Sequence, residues 1–218
     1  MKRVLIGTPS YDGRIDVWYA NSLIQTVKMS AGRGYDVHAI YTSYDSLIQR
    51  ARNSLFRLAL QGNYDYLFFI DSDCEWRPEW FFNLLDRPEP IVGGSLIKKS
   101  EKEGYTVKLM DKNLKYSQDN KLIEVDGVGT GFMKLSIFAI QKLWEISEPY
   151  LSEGEEHRMI CDIKVENGDL ISEDYVIGNK WKELGYKVWL DPTITLNHIG
   201  IKKFKGDFES FLKKHGYR

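Results

Sequence analysis

The apolar positions of the first seventy residues switch between two periods. Residues 3–7 (RVLIG), 36–42 (DVHAIYT) and 66–70 (YLFFI) are short runs bounded by turn residues, which predicts three strands. Between them Val17, Ala20, Ile24, Val27 and Ala31 recur at helical spacing over residues 16–31, with Gly32 and Gly34 ending the segment. Leu47, Ala51, Leu55 and Leu58 do the same over residues 46–60, and Arg50, Asn53 and Arg57 share another face. Strand, helix, strand, helix, strand predicts an α/β chain: a mixed, mainly parallel central sheet flanked by helices.

The pattern continues with a helix over 77–85 and a strand over 90–94. Residues 95–126 are polar and strand-like without strong periodicity. GVGTG (127–131) leads into a strand over 132–135 and a helix opened by Ser136. Residues 145–171 hold an acidic stretch, SEGEEH, and a hairpin around ENGD. A helix over 172–185 starts on Ser172 as N-cap and stops at Gly185, strands follow over 186–190 and 193–198, and a basic helix runs from Gly206. In that tail Phe204, Phe208, Phe211 and Leu212 repeat at near-helical spacing. It either packs on the domain or lies on an anionic membrane or a partner.

Composition narrows the classes. The chain has 218 residues, 43% hydrophobic, 28% charged, with formal net charge −1. That length suits one domain with a sizeable core, and the balance shows no broad basic surface for nucleic acid. Cys74 and Cys161 are too few for a disulfide framework and have no metal-ligand spacing. No stretch approaches a membrane span. The expected setting is cytoplasmic.

The chemistry concentrates where YLFFI runs into Asp71, Ser72 and Asp73. In an extended segment residues two apart point the same way, so both carboxylates can aim at one point beyond a strand end. In open α/β sheets ligands bind at that edge. Like charges this close repel, and a divalent cation removes the repulsion. The same three residues can instead cap the following helix or line a solvated turn.

The stretch YLFFIDSDCEWRPEW resembles the D-x-D segment of glycosyltransferases with the nucleotide-sugar-binding A-type (GT-A) fold, in the manner of family two. Further segments follow in that family's order: TPSYDG after the first strand, RARNSL (50–55), DGVGTGFMKLSIFAIQKL (126–143) and SEDYVIGNKWKELGYKVWLDPTITLNHIG (172–200). The resemblance covers nearly the whole chain and rests on order and spacing, not on one decisive motif. It implies a Rossmann-like catalytic domain over 1–218, with a nucleotide-binding half (1–100) and a sugar and acceptor half (101–218).

The resemblance also implies roles. Asp73 would be the main metal ligand, with Asp71 on the ribose or on the metal through water. Ser72 would lie against the donor, and His198 would be a further ligand, its imidazole suiting Mn²⁺ better than Mg²⁺. Thr8, Pro9 and Tyr11 would form the base pocket, while Arg52 and Asn53 would border the nucleotide. Asp126, Gly129 and Gly131 would meet the sugar. Asp174 would be the base in an inverting reaction, with Glu173 orienting the acceptor. Plain alternatives stand beside these roles. Glu173 and Asp174 suit a helix start. Asp126 suits a strand-end turn, Tyr11 an aromatic surface, and His198 a backbone hydrogen bond. Trp76 and Trp181 are core or rim residues before they are sugar platforms, and Lys202 or Lys203 would reach the diphosphate if the tail closes. The implied reaction moves a sugar from a UDP- or GDP-linked donor to a glycan, lipid-linked or protein hydroxyl.

Three other functions compete. A haloacid-dehalogenase-type phosphatase carries D-x-D on a strand near its N-terminus, followed by Thr or Val; here Cys74 and Glu75 follow the third strand. A nucleotidyltransferase needs a glycine-dense, basic first loop, which GTPSYDGR is not. A non-catalytic sugar- or nucleotide-binding module would not require Asp71, Asp73, Asp174 and His198 together.

Overall fold

The computed structural model describes residues 1–200 and 202–217; Ile201 and Arg218 lie outside the described residues. Strand and helix alternate first: β1 (Lys2–Ser10), α1 (Val17–Ser30), β2 (Tyr35–Ser43), α2 (Ile48–Gln61), β3 (Tyr66–Ile70), the short β4 (Cys74–Glu75), α3 (Pro78–Leu85) and β5 (Ile91–Leu96). Short pieces β6 (Val107–Lys108), β7 (Ile123–Val125) and β8 (Gly127–Val128) lead to β9 (Phe132–Ser136) and α4 (Ile137–Ile146). Two hairpins come next, β10 (Pro149–Ser152) with β11 (Glu155–Arg158) and β12 (Lys164–Glu166) with β13 (Asp169–Ile171). The chain closes with α5 (Glu173–Glu183), β14 (Val188–His198) and α6 (Phe208–Lys214).

The central sheet has the order β2-β1-β3-β9-β5-β14-β4, with β7 also on β14. β1 is parallel to β2 and β3, and β14 is parallel to β5. β9 is antiparallel to both β3 and β5, so those two run alike. Apart from β9, the long strands therefore all point one way: the fold is α/β, a mostly parallel sheet flanked by helices. Both faces are covered, which is why YLFFI is continuously apolar and not alternating. Successive residues feed opposite cores. Phe68 packs on Phe81 and Phe132 at 4.5 and 4.7 Å, and Phe69 packs on Phe56 at 5.4 Å on the other side.

Three details depart from the sequence reading. The buried face of α1 is Tyr19, Ser22, Thr26 and Ser30, while Val17, Ile24 and Val27 face solvent. Small polar side chains let the helix approach closely, and each finds a partner. Trp76 Nε1 donates to Thr26 Oγ1 at 3.0 Å, Trp76 N to Ser22 Oγ at 3.2 Å, and Thr8 Oγ1 pairs with Tyr19 Oη at 2.6 Å. Leu47, just before α2, is exposed, while Arg52 and Asn53 are buried: residues 157–161 cover Asn53, and Glu173 and Asp174 close on Arg52. The two strands expected over 186–198 are one, β14, with a register shift between Asp191 and Thr195 spanning Pro192.

The other elements form near where expected, except that Ser172 stands at the N-cap of α5 without a side-chain cap bond and residues 95–126 are mostly irregular, with only the end of β5, β6 and β7 as strands. Ser136 caps α4, its Oγ accepting from Ala139 N. The ENGD hairpin forms, with Asn167 and Gly168 at φ 52° and 89°. Phe208 and Leu212 of α6 are buried, with Phe204 and Phe211 packed against the same core, so the tail helix closes on the domain. Cys74 and Cys161 are free and buried.

Candidate active site

The chemistry-bearing residues meet at one edge of the sheet. Strands β1, β3, β5 and β14 all end there, and β9 begins there. Asp71 and Asp73 follow β3, Lys99 follows β5, His198 ends β14, and Thr130 and Gly131 precede β9. The first turn of α5 brings Glu173 and Asp174. Backbone bonds knit the edge: Asp16 N donates to Ser72 O at 2.9 Å, and Ile199 N to Asp73 O at 2.8 Å. β4 pairs antiparallel with β14, setting Cys74 opposite His198 and so returning the histidine to Asp73.

Arg52 organises one half of the site. Its side chain is only 4% exposed. Nη2 donates to Asp71 Oδ1 at 3.0 Å, and Nη1 donates to Asp174 Oδ1 at 2.8 Å and to Glu173 Oε1. One guanidinium thus holds three carboxylates, and its Nε has no partner. Thr130 Oγ1 donates to the same Asp174 Oδ1 at 2.6 Å. Burial raises the pKa of Asp71 above 3.8, against the pull of Arg52 and with help from Asp174 and Asp73. Burial and the neighbouring Asp174 raise Glu173 as well. Burial opposes charge on Arg52, but the three carboxylates outweigh it and its pKa moves up.

Asp73 has different company. Its Oδ2 accepts from Lys99 Nζ and lies 3.4 Å from His198 Nε2. Burial opposes its ionisation, but His198 and Lys99 outweigh that and hold its pKa below the ordinary value. His198 Nδ1 is 2.9 Å from Ile97 O, a carbonyl that can only accept. Nδ1 therefore donates to Ile97 O, and this bond directs Nε2 at the Asp73 carboxylate.

The pair that could hold a divalent cation is Asp73 Oδ2 with His198 Nε2, 3.4 Å apart, once Lys99 leaves the carboxylate. Among the described residues no group of three or more His, Cys, Asp or Glu is arranged to hold one. Asp73 and His198 offer one oxygen and one nitrogen, leaving other positions for diphosphate oxygens and water, as hard divalent cations accept. Ile97 O fixes the orientation of the imidazole. Asp71, expected as a ligand, has Oδ1 turned to Arg52 instead.

The other expected residues divide. Gly131 does make a close approach: a Cβ there would stand 3.2 Å from Asp71 Oδ2. Gly129 packs on Thr106, away from the carboxylates. Asp126 is paired with Lys182 and, at 3.7 Å, with Lys108. Asn53 clamps residue 161, donating to Cys161 O at 3.0 Å and accepting from Cys161 N at 2.8 Å. Thr8 and Pro9 are closed to solvent, and only Tyr11 stands in the open, in the loop tied to Ser72 through Asp16. Trp76 and Trp181 are core residues. Lys202 pairs with Glu101, and Lys203 with Glu75.

Lys99 and Thr130 are the site residues that sequence reasoning missed. Lys99 sits in LIKKS, directly after a strand that points to the site, and that position was the available signal. Thr130 lies inside the glycine segment, masked by the glycines around it.

No family model matches the chain, and no curated protein matches it. Among solved structures the chain is similar to A197 from STIV, with a TM-score of 0.61 at 17% identity over 92% of this chain and 86% of that one. A glycosyltransferase involved in glycosylation of the major capsid of PBCV-1 matches at TM-score 0.35 and 10% identity, over 65% and 63% of the two chains. The CTP complex of CMP:2-keto-3-deoxy-manno-octonic acid synthetase matches at 0.42 and 12%, over 99% and 97%. Only the first likeness exceeds half of the TM scale, and at that identity it speaks to the fold alone.

Proposed function

We propose that the protein is a metal-dependent glycosyltransferase that moves a sugar from a UDP- or GDP-linked donor to an acceptor hydroxyl. The observation that carries this reading is the sharing of Arg52: one guanidinium links Asp71, beside the Asp73–His198 pair, to Asp174, the candidate base. Donor and acceptor chemistry are thereby held within one side chain's reach.

Asp73 and His198 would hold Mn²⁺ or Mg²⁺, which when bound neutralises charge on the departing diphosphate. Asp71 would accept from ribose hydroxyls with the oxygen that Arg52 leaves free. Tyr11 would stack on the base. Lys99 would pass from Asp73 to a phosphate oxygen as the donor arrives. Asp174 Oδ2, opposite the oxygen bonded by Arg52 and Thr130, would take the proton from the acceptor hydroxyl as that oxygen attacks C1. Glu173 would orient the acceptor. A phosphatase of the haloacid-dehalogenase type fits less well, because Asp71 and Asp73 follow the third strand, β3, and not a strand near the N-terminus.

The test is release of nucleoside diphosphate from a panel of UDP- and GDP-sugars with Mn²⁺. Wild type should turn over one donor class, and Asp174→Asn should bind that donor while losing roughly 10²- to 10⁴-fold in rate. Equal rates would remove Asp174 as the base; no release from any donor by wild type would remove the transferase reading.

A further inference from the structure

The two hairpins before α5 have no part in the chemistry above, and their outer surfaces are unusual. Both close on two-residue turns at positive φ, Glu153–Gly154 and Asn167–Gly168, which makes tight two-stranded ribbons with little interior. Their solvent faces are not simply polar. Leu151, Val165 and Leu170 are 76%, 72% and 71% exposed. Val165 and Leu170 are cross-strand partners, so they form one apolar face on β12–β13. Leu151 borders a cleft of about 290 Å³ between β10–β11 and the start of α2, with Leu47, Tyr150 and Met159 in its wall.

Charge is concentrated on the same segment. Residues 148–174 carry nine Asp and Glu against two Lys and Arg, whereas the rest of the chain carries twenty-two against twenty-eight. Glu155 and Glu156 pair with Arg57 and Arg158. Glu148, Glu153, Glu166 and Asp169 are exposed and have no ion-pair partner among the described residues.

The surface is fixed to the candidate site. β12–β13 runs through Ser172 straight into Glu173 and Asp174. β10–β11 leads to residues 159–161, which Asn53 clamps beside Arg52 and which Lys180 holds through Met159 O. The hairpins are thus joined to the candidate base by short, clamped stretches of chain.

We propose that the two hairpins dock the acceptor, and that the acceptor is a polypeptide segment in which Lys or Arg alternates with apolar side chains. The inference rests on the transferase reading and names its acceptor class. Exposed aliphatic side chains call for apolar partners, and a strongly acidic surround steers and selects cationic ones. An anionic bilayer would be repelled by the same carboxylates.

The test uses the full chain and three labelled peptides of one length and one apolar pattern, with Lys, Ser or Glu at the polar positions. Binding is read by fluorescence anisotropy, with anionic phosphatidylglycerol vesicles as a parallel arm. The Lys peptide should bind about tenfold tighter than the Ser peptide, the Glu peptide weakest, and added salt should erase the difference. Val165→Ser with Leu170→Ser should weaken the Lys peptide about tenfold. Glu153→Lys with Glu166→Lys and Asp169→Lys should abolish the preference. All five positions are exposed, and unchanged melting temperatures would confirm intact folding. Equal binding of Lys and Ser peptides, unchanged binding in both variants, or binding to vesicles alone would overturn the inference. Nucleoside diphosphate binding, measured on the same samples, separates the two readings. If nucleotides bind but the peptide preference is missing, only the acceptor inference falls. If the preference is present but no nucleotide binds, the transferase reading falls, and the acceptor role falls with it.

Discussion

Asp71 and Asp73 are two residues apart on one turn, and they live in opposite company. Asp71 is packed against Gly131 and shares a buried arginine with two further carboxylates; its pKa is raised. Asp73 is more open, meets a lysine and a histidine, and its pKa is lowered. The difference separates two jobs inside one D-x-D. The Arg52 side is a buried, charge-crowded frame, and on the proposed reading the Asp73 side is a ligand pair whose Lys99 cation gives way to a metal. A buried carboxylate cluster with one cation is costly to disturb, whereas a half-exposed pair contributes little to stability and can be spent on binding.

The largest expected effect is on the frame. Arg52→Met leaves three carboxylates without their cation and should cost roughly 3–5 kcal/mol in urea unfolding. The loss should shrink with acidification, because carboxylates with raised folded-state pKa values penalise the fold only while ionised. A deficit unchanged between pH 7 and pH 4 would mean that Arg52 acts through packing alone.

Asp73→Asn should leave stability within about 1 kcal/mol of wild type and should lower Mn²⁺-dependent nucleotide affinity by roughly 10- to 100-fold. An equal loss in Asp71→Asn would erase the distinction between the two aspartates. Lys99→Met should act in the other direction. Removing the competing ammonium should tighten Mn²⁺ by about fivefold, or ~1 kcal/mol, as read by calorimetric titration; weaker Mn²⁺ binding would make Lys99 a partner of the site and not a placeholder.

The smallest effect is the titration itself. In metal-free protein, carbon-detected NMR should place the Asp73 midpoint below 3.8 and the Asp71 midpoint above it. The linkage signs then differ. Asp73 contributes stability above its unfolded-state value, lost as pH falls through its lower folded value. Ionised Asp71 costs stability, and that cost is relieved as pH falls through its raised value.

How much of this was legible in the sequence follows the physics of each element. YLFFI, the ENGD turn and the Ser136 cap rest on local rules, and each forms where its residues predict. The α1 face was misread because periodicity counts apolar residues, and this helix buries hydroxyls whose partners, Trp76 and Thr8, are distant in sequence. Arg52 and Asn53 are buried because residues 157–161 and α5 fold over them, contacts from more than a hundred residues away that helical periodicity does not encode. Asp73 and His198 were legible as a pair because both end strands that share an edge. The Arg52 hub was not, since its partners are 19, 121 and 122 residues away.

The most direct measurement is thermal melting of wild type and Asp73→Asn with UDP, GDP, CDP or dTDP, each with Mn²⁺ or with EDTA. A ligand that binds only the native state raises the melting temperature by mass action. The account predicts that UDP or GDP stabilises wild type in Mn²⁺, that EDTA removes the shift, and that Asp73→Asn lacks it. A shift that survives both EDTA and the substitution, or no shift with any nucleotide, would contradict the account.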